Sequence, residues 1–153
     1  MRKMLLFAPL LAGTLALAGC NEGSGQPLME PIPVIVVDDS TYVAYLNIPP
    51  VDVVVGKGEI RDDILSLSMS FLGGCGAREF GMIAARGINK TNPPGGFLIL
   101  TLAPQSDTCK VETLEVVPFD LTPYREYLQS SGLVRLGTIR MSIYGLYGFD
   151  YHF

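Results

Sequence analysis

The chain has 153 residues, 48% of them hydrophobic, with 11 basic side chains against 15 acidic ones, one histidine and three cysteines. That is enough for one domain with a real core. The acidic balance, and the lack of any Lys or Arg run interleaved with aromatics, argue against a nucleic-acid partner.

The N-terminus speaks to the compartment. Arg2 and Lys3 precede an apolar stretch from Met4 to Ala18, broken only by Pro9, Gly13 and Thr14. This is the layout of a secretory signal peptide, and it is shorter than the roughly 20 apolar residues of a membrane helix. Its end, Leu17-Ala18-Gly19-Cys20, resembles the lipobox of bacterial lipoproteins, whose cysteine is acylated and becomes the first residue. The resemblance implies lipid on Cys20. Acyl chains contribute about 0.8 kcal/mol per buried CH2, so several of them would hold the protein on a membrane. Cleavage at Ala18 or Gly19, giving a soluble secreted protein, is the competing reading. Asn21 is not the Asp that commonly retains such lipoproteins on the inner membrane. A lipid-anchored position in a bacterial envelope, at the outer membrane on its periplasmic side or surface, is therefore expected. Residues 1–19 are read as the leader, and 20–33, rich in Gly, Pro and polar residues, as a flexible tether. Residues 34–153 are read as one domain. Loss of Arg2 and Lys3 leaves nine basic groups against 15 acidic, a net charge of −6.

Beyond the tether the pattern is almost entirely strand. "PVIVV" (33–37) is a first candidate, followed by "TYVAYLNI" (41–48) and "VDVVVGKGEI" (51–60). "ILSLSMSF" (64–71) sets Leu65, Leu67, Met69 and Phe71 against Ser66, Ser68 and Ser70, the clearest period-two alternation in the chain. "EFGMIAAR" (79–86), "GFLILTL" (96–102), "TLEVVPF" (113–119), "LVRLGTIRMSIY" (133–144) and the closing "GFDYHF" follow. Pro49-Pro50, Gly73-Gly74, Asn92-Pro93-Pro94-Gly95-Gly96 and Pro104 separate them as turns. Short strands with such punctuation predict an all-β fold, an antiparallel β-sandwich that is immunoglobulin-like or related. One segment departs. "DLTPYREYLQSSG" offers Thr122 as N-cap, Pro123 at the first helical position and Gly132 as a stop, which predicts one short helix. Tyr124, Tyr127 and Leu128 share a face of it.

With Cys20 assigned to lipid, Cys75 and Cys109 remain as an even pair in an exported, oxidising compartment. A disulfide between them would stabilise by roughly 3–4 kcal/mol in the chain-entropy model. A free or redox-active pair is the alternative. A metal site would need further ligands, and no C-x-x-C or second histidine exists. A nucleophile would need a base, and the one histidine, His152, reads as an edge residue of the last strand.

Neither G-x-S-x-G, nor H-E-x-x-H, nor a glycine-rich phosphate loop occurs. Asp38-Asp39 and Asp62-Asp63 are adjacent carboxylates, but neighbours on a strand point to opposite faces, so neither pair makes a dyad alone. Loop carboxylates at Asp38, Asp39 and Asp107 lack EF-hand spacing. No metal and no cofactor is expected.

"GGCGAREF" (73–80), "SDTC" (106–109), "FDLTPYREYLQ" (119–129) and "IRMSIYGLYGFDYHF" together resemble the C-terminal β-domain of NigD-like lipoproteins and related small bacterial lipoproteins. Their pattern runs G-G-C-x-x-H-x-F, then D-x-C, then F-D-L-T-P. The likeness covers about residues 60–153 and implies the β-sandwich and the Cys75–Cys109 bridge, with nothing catalytic. Arg78 stands where that pattern tends to have histidine, and the N-terminal portion is shortened here.

The expectation is a non-catalytic binding or structural module, lipid-anchored through Cys20, with a protein or glycan partner at the envelope. Arg78, and the tyrosines Tyr144, Tyr147 and Tyr151, are candidate contact residues, beside the loop from Asn92 to Gly96; the competing reading of the tyrosines is cross-strand core pairs, the commoner fate of aromatics on strands. The alternative is an enzyme or inhibitor whose residues converge only in three dimensions, such as paired carboxylates directed at a glycan. A cleft gathering two or more carboxylates, or Arg78 and Glu79 facing a pocket, would favour it.

Overall fold

The computed structural model describes residues 29–48, 52–72, 78–103, 110–134 and 137–153. The lipidation expected at Cys20 and the Cys75–Cys109 bridge lie outside the described residues. In chain order the elements are β1 (Ile32–Pro33), β2 (Ile35–Val37), α1 (Asp39–Leu46), β3 (Val54–Arg61), β4 (Ile64–Leu72), β5 (Phe80–Asn89), β6 (Gly95–Leu102), β7 (Glu112–Asp120), α2 (Thr122–Ser130), β8 (Thr138–Ile143) and β9 (Tyr147–His152). They form a four-stranded sheet, β1-β7-β4-β3, and a five-stranded sheet, β2-β5-β6-β8-β9. The protein is mostly β.

Strand β4 shows why the two sheets share one core. Its alternation buries Leu65, Leu67, Met69 and Phe71 and turns the serines outward. Antiparallel pairing sets Leu65 beside Phe119 and Leu67 beside Val117 of β7, so the apolar sets of both strands fall on one face. Met82 and Ala84 of β5, Leu98 and Leu100 of β6, Ile139 and Met141 of β8, and Tyr151 of β9 join the same cluster. Each large side chain so buried stabilises by about 1.5–3 kcal/mol.

Three pairings correct the expected antiparallel arrangement. β1 runs parallel to β7, β2 to β5, and β6 to β8. The last has a clear cause: β7 and α2 intervene between β6 and β8, giving the long crossover that parallel neighbours require. Ile32 and Pro33, counted with the tether from sequence, already pair with β7.

The second correction is α1, read from sequence as a strand. β-Branched and aromatic residues in "TYVAYL" favour extended chain, but Asp38 caps a helix. Its Oδ1 accepts from the Thr41 amide at 2.9 Å and its Oδ2 from the Thr41 hydroxyl at 2.9 Å, while the Ser40 hydroxyl also donates to Oδ1. These bonds, the one from Ser40 foremost, hold the Asp38 carboxyl well below the usual carboxylate range. Asp39 then reaches the irregular stretch of β5 and accepts from the Gly87 amide at 3.1 Å. The cap signal outweighs residue propensity here.

Helix α2 forms where expected, with its cap one residue earlier, at Leu121. The side chain that acts there is Asp120, whose Oδ1 accepts from the Thr122 amide at 2.9 Å. At the other end Gly132 takes a φ of 71°, Gly132 N–H donates to Gln129 O, and Leu133 N–H donates to Leu128 O. This is a Schellman closure. Tyr124 and Leu128 are buried in the core.

Candidate functional site

The candidate site grows from the β3–β4 turn. Arg61 pairs with Ile64, leaving Asp62 and Asp63 as a two-residue loop with φ of 48° and 67°. Positive φ at both positions is the geometry of a type I′ hairpin turn, and aspartate tolerates it better than most residues. Tertiary bonds hold Asp63 there. Its carbonyl accepts from the Leu121 amide at 2.8 Å. Arg125 of α2 donates to its Oδ2, and the Tyr151 hydroxyl of β9 donates to its Oδ1. One turn residue thereby ties the hairpin, α2 and β9 together. Burial, and then the bond to Asp63, push the Tyr151 hydroxyl well above the usual tyrosine range.

Above this network lies an open cleft of about 620 Å³. Asp62, Asp63, Arg125 and His152 supply polar groups, and Phe149 and Phe153 supply aromatic rings. Asp150 also lines it, while its Oδ1 accepts from Arg140 Nε at 3.0 Å. His152 Nδ1 shares a 2.8 Å hydrogen bond with the Thr138 hydroxyl. The fold thus gathers carboxylates that are far apart in sequence. Asp62 and Asp63 do so from a turn, not from the strand on which they would oppose each other. Among the described residues no group of three or more His, Cys, Asp or Glu side chains could hold a metal ion.

The structure separates the sequence-derived contact residues. Tyr151 is a core residue with no exposed surface. Tyr147 stacks on Phe149 with ring centroids 6.1 Å apart, and covers Gly58, where an added Cβ would lie 2.7 Å from its ring. Tyr144 is exposed and lines a different, largely apolar groove of about 530 Å³, with Tyr42, Val43 and Leu46 of α1 and Phe97 of β6. Arg78 serves the fold. Its Nη2 donates to Leu72 O at 2.6 Å, and its guanidinium lies 4.2 Å from the centroid of the Phe71 ring. It lines neither cleft nor groove.

Sequence reasoning weighed Asp63 only as half of an adjacent carboxylate pair on a strand, and passed over Arg125. A signal was present: "RDD" between two alternating strands is a tight-turn pattern. Nothing in the sequence pairs that turn with a helix residue 62 positions on.

No family model matches the chain, and no curated protein matches it. Solved structures similar to it include a protein of unknown function, DUF1344, from Bacteroides vulgatus. That likeness has a TM-score of 0.46 and 14% identity over 80% of this chain and 56% of that one. A second, a protein named as toxin-related from Parabacteroides distasonis, has a TM-score of 0.47 and 14% identity over 80% of this chain and 61% of that one. The chain thus spans less than two thirds of either neighbour.

Proposed function

We propose that this chain is a lipid-anchored envelope protein whose β domain is a non-catalytic binding module, with the cleft over Asp63 as its ligand site. The observation that carries this reading is the state of two of the cleft's three carboxylates, Asp63 and Asp150. Both oxygens of Asp63 are engaged, by Arg125 and Tyr151, and Asp150 is paired with Arg140. A carboxylate so used stiffens a wall, and is poorly placed to move protons or attack a substrate. Phe149, Phe153 and the exposed polar rim suit a ligand that offers both an apolar face and hydroxyl groups, as a glycan does. The finer fold assignment, an immunoglobulin-like or related sandwich, is supported by two sheets packed over one core. The likeness to NigD-like lipoproteins and the Cys75–Cys109 bridge belong to the same proposal. The enzyme alternative draws on one observation, the meeting of Asp62, Asp63 and Asp150 in a single cleft.

The cleft can be probed in the full chain, in cells, by replacing His152 with the photo-reactive p-benzoylphenylalanine. Irradiation is expected to give an adduct of constant added mass. The same replacement at Ala44, on exposed α1, should give none. Equal labelling from both positions, or none from His152, would contradict the binding reading.

A further inference from the structure

The four-stranded sheet has a bare outer face. Val54, Leu72, Leu114 and Val116 stand on it, each between 58% and 74% exposed. The register places them together: Val54, Ser70 and Leu114 form one row across β3, β4 and β7, and Lys57, Ser68 and Val116 form the next. Leu72 pairs with Glu112 one step further along. An apolar group of this kind marks a contact surface in a soluble domain. The outward side of the other sheet is different. Ile83, Ala85 and Ile99, which alternate with its core residues, are themselves buried.

We infer that this face rests on the bilayer to which Cys20 tethers the protein, an inference that rests on the lipid-anchor reading above. The parallel pairing of β1 with β7, Ile32 beside Phe119 and Pro33 beside Asp120, brings the chain into β1 from the Leu114 end of β7. The described chain therefore enters the domain from the direction in which the apolar residues lie. Only Asn21 to Leu28 separate Cys20 from the described chain, and eight residues reach at most about 30 Å. So short a lead keeps the domain within reach of the membrane surface. Lys57, beside Val116 across Ser68, can lay its stem along the apolar surface and extend its ammonium to headgroup phosphates. The occupant is an interfacial lipid surface, and the side chains enter it without spanning it.

The chain contains no tryptophan, so one introduced indole reports on one place. The full chain carrying Leu114→Trp, purified with its lipid, would be reconstituted into phosphatidylcholine vesicles with and without dibrominated acyl chains. Tyr144→Trp, in the groove beside α1, serves as the control. The expected result is blue-shifted emission from position 114 that loses more than half its intensity in brominated vesicles, with position 144 unchanged. Vesicles that float with the chain while position 114 stays unquenched would overturn the inference and leave the anchor standing. A blue shift without quenching would also overturn it, since protein would then cover the face. Failure of the chain to float with the vesicles would overturn both the anchor and this face's occupant.

Discussion

Asp63→Asn is expected to destabilise the protein by about 2–3 kcal/mol, because it removes one charge of a largely desolvated pair and leaves the other without a partner. The substitution keeps a residue that tolerates positive φ, so the turn itself survives. The new amide can still accept from Tyr151, but its NH2 group would face the donors of Arg125. Asp63→Ala also loses the short polar side chain whose local hydrogen bonding lets Asp and Asn tolerate a left-handed backbone, about 1 kcal/mol more. Urea unfolding of these variants, with Arg125→Met and the double change Asp63→Asn with Arg125→Met, measures the coupling. The double variant should lose less than the sum of its parts.

The same network sets an alkaline limit. Burial raises the hydroxyl pKa of both Tyr151 and Tyr124, and at Tyr151 the bond to Asp63 adds to it. In each case the folded value lies above the unfolded one, about 10. The stability tied to the neutral phenol is therefore complete below about pH 10 and lost as pH rises toward the folded value. The urea midpoint should hold steady up to that point and fall beyond it, with a smaller fall in Tyr151→Phe and Tyr124→Phe.

Gly96→Ala is the second large effect. Gly96 sits in β6 with its open side against α2 and β8. A Cβ there would lie 2.7 Å from the Tyr124 hydroxyl oxygen, 2.9 Å from the Met141 sulfur and 3.1 Å from Ile139 Cδ1. Buried neighbours on a sheet and a helix have little room to give, so the cost is about 2–3 kcal/mol, in the range of overpacking. The Tyr124 hydroxyl is buried and has no hydrogen-bond partner among the described residues. Removing it should be neutral or stabilising, because it leaves no orphaned partner behind. Tyr124→Phe should therefore rescue part of the Gly96→Ala loss, since it deletes the nearest contact. Equal cost of Gly96→Ala in both backgrounds would mean that Met141 and Ile139 alone set the limit.

These effects show where the sequence is legible. β4 can be read directly because its serines alternate with residues of the core. α2 can be read because Pro123 and Gly132 punctuate it, although the side chain that caps it, Asp120, lies two residues before Thr122. α1 misleads, since its composition suits a strand and its cap depends on Asp38 alone. The parallel pairings cannot be read from alternation, which is blind to strand direction. The cleft is less legible still. It depends on Asp63 meeting Arg125 and Tyr151, contacts made only after the hairpin, α2 and β9 have packed. The tyrosines offered as contact residues end as a core residue, a cover for Gly58 and one exposed ring, because Tyr147 and Tyr151 share the inward face of β9 while Tyr144 lies in the turn before it.

The most direct test of the anchored binding-module account is the intact mass of the full chain recovered from cell membranes, alkylated before and after reduction. The account predicts a chain that begins at Cys20 and carries acyl lipid, with Cys75 and Cys109 closed to alkylation until reduced. An unlipidated chain whose Cys75 and Cys109 both alkylate without reductant would contradict it. Cys75 and Cys109 would then be the place to look for chemistry.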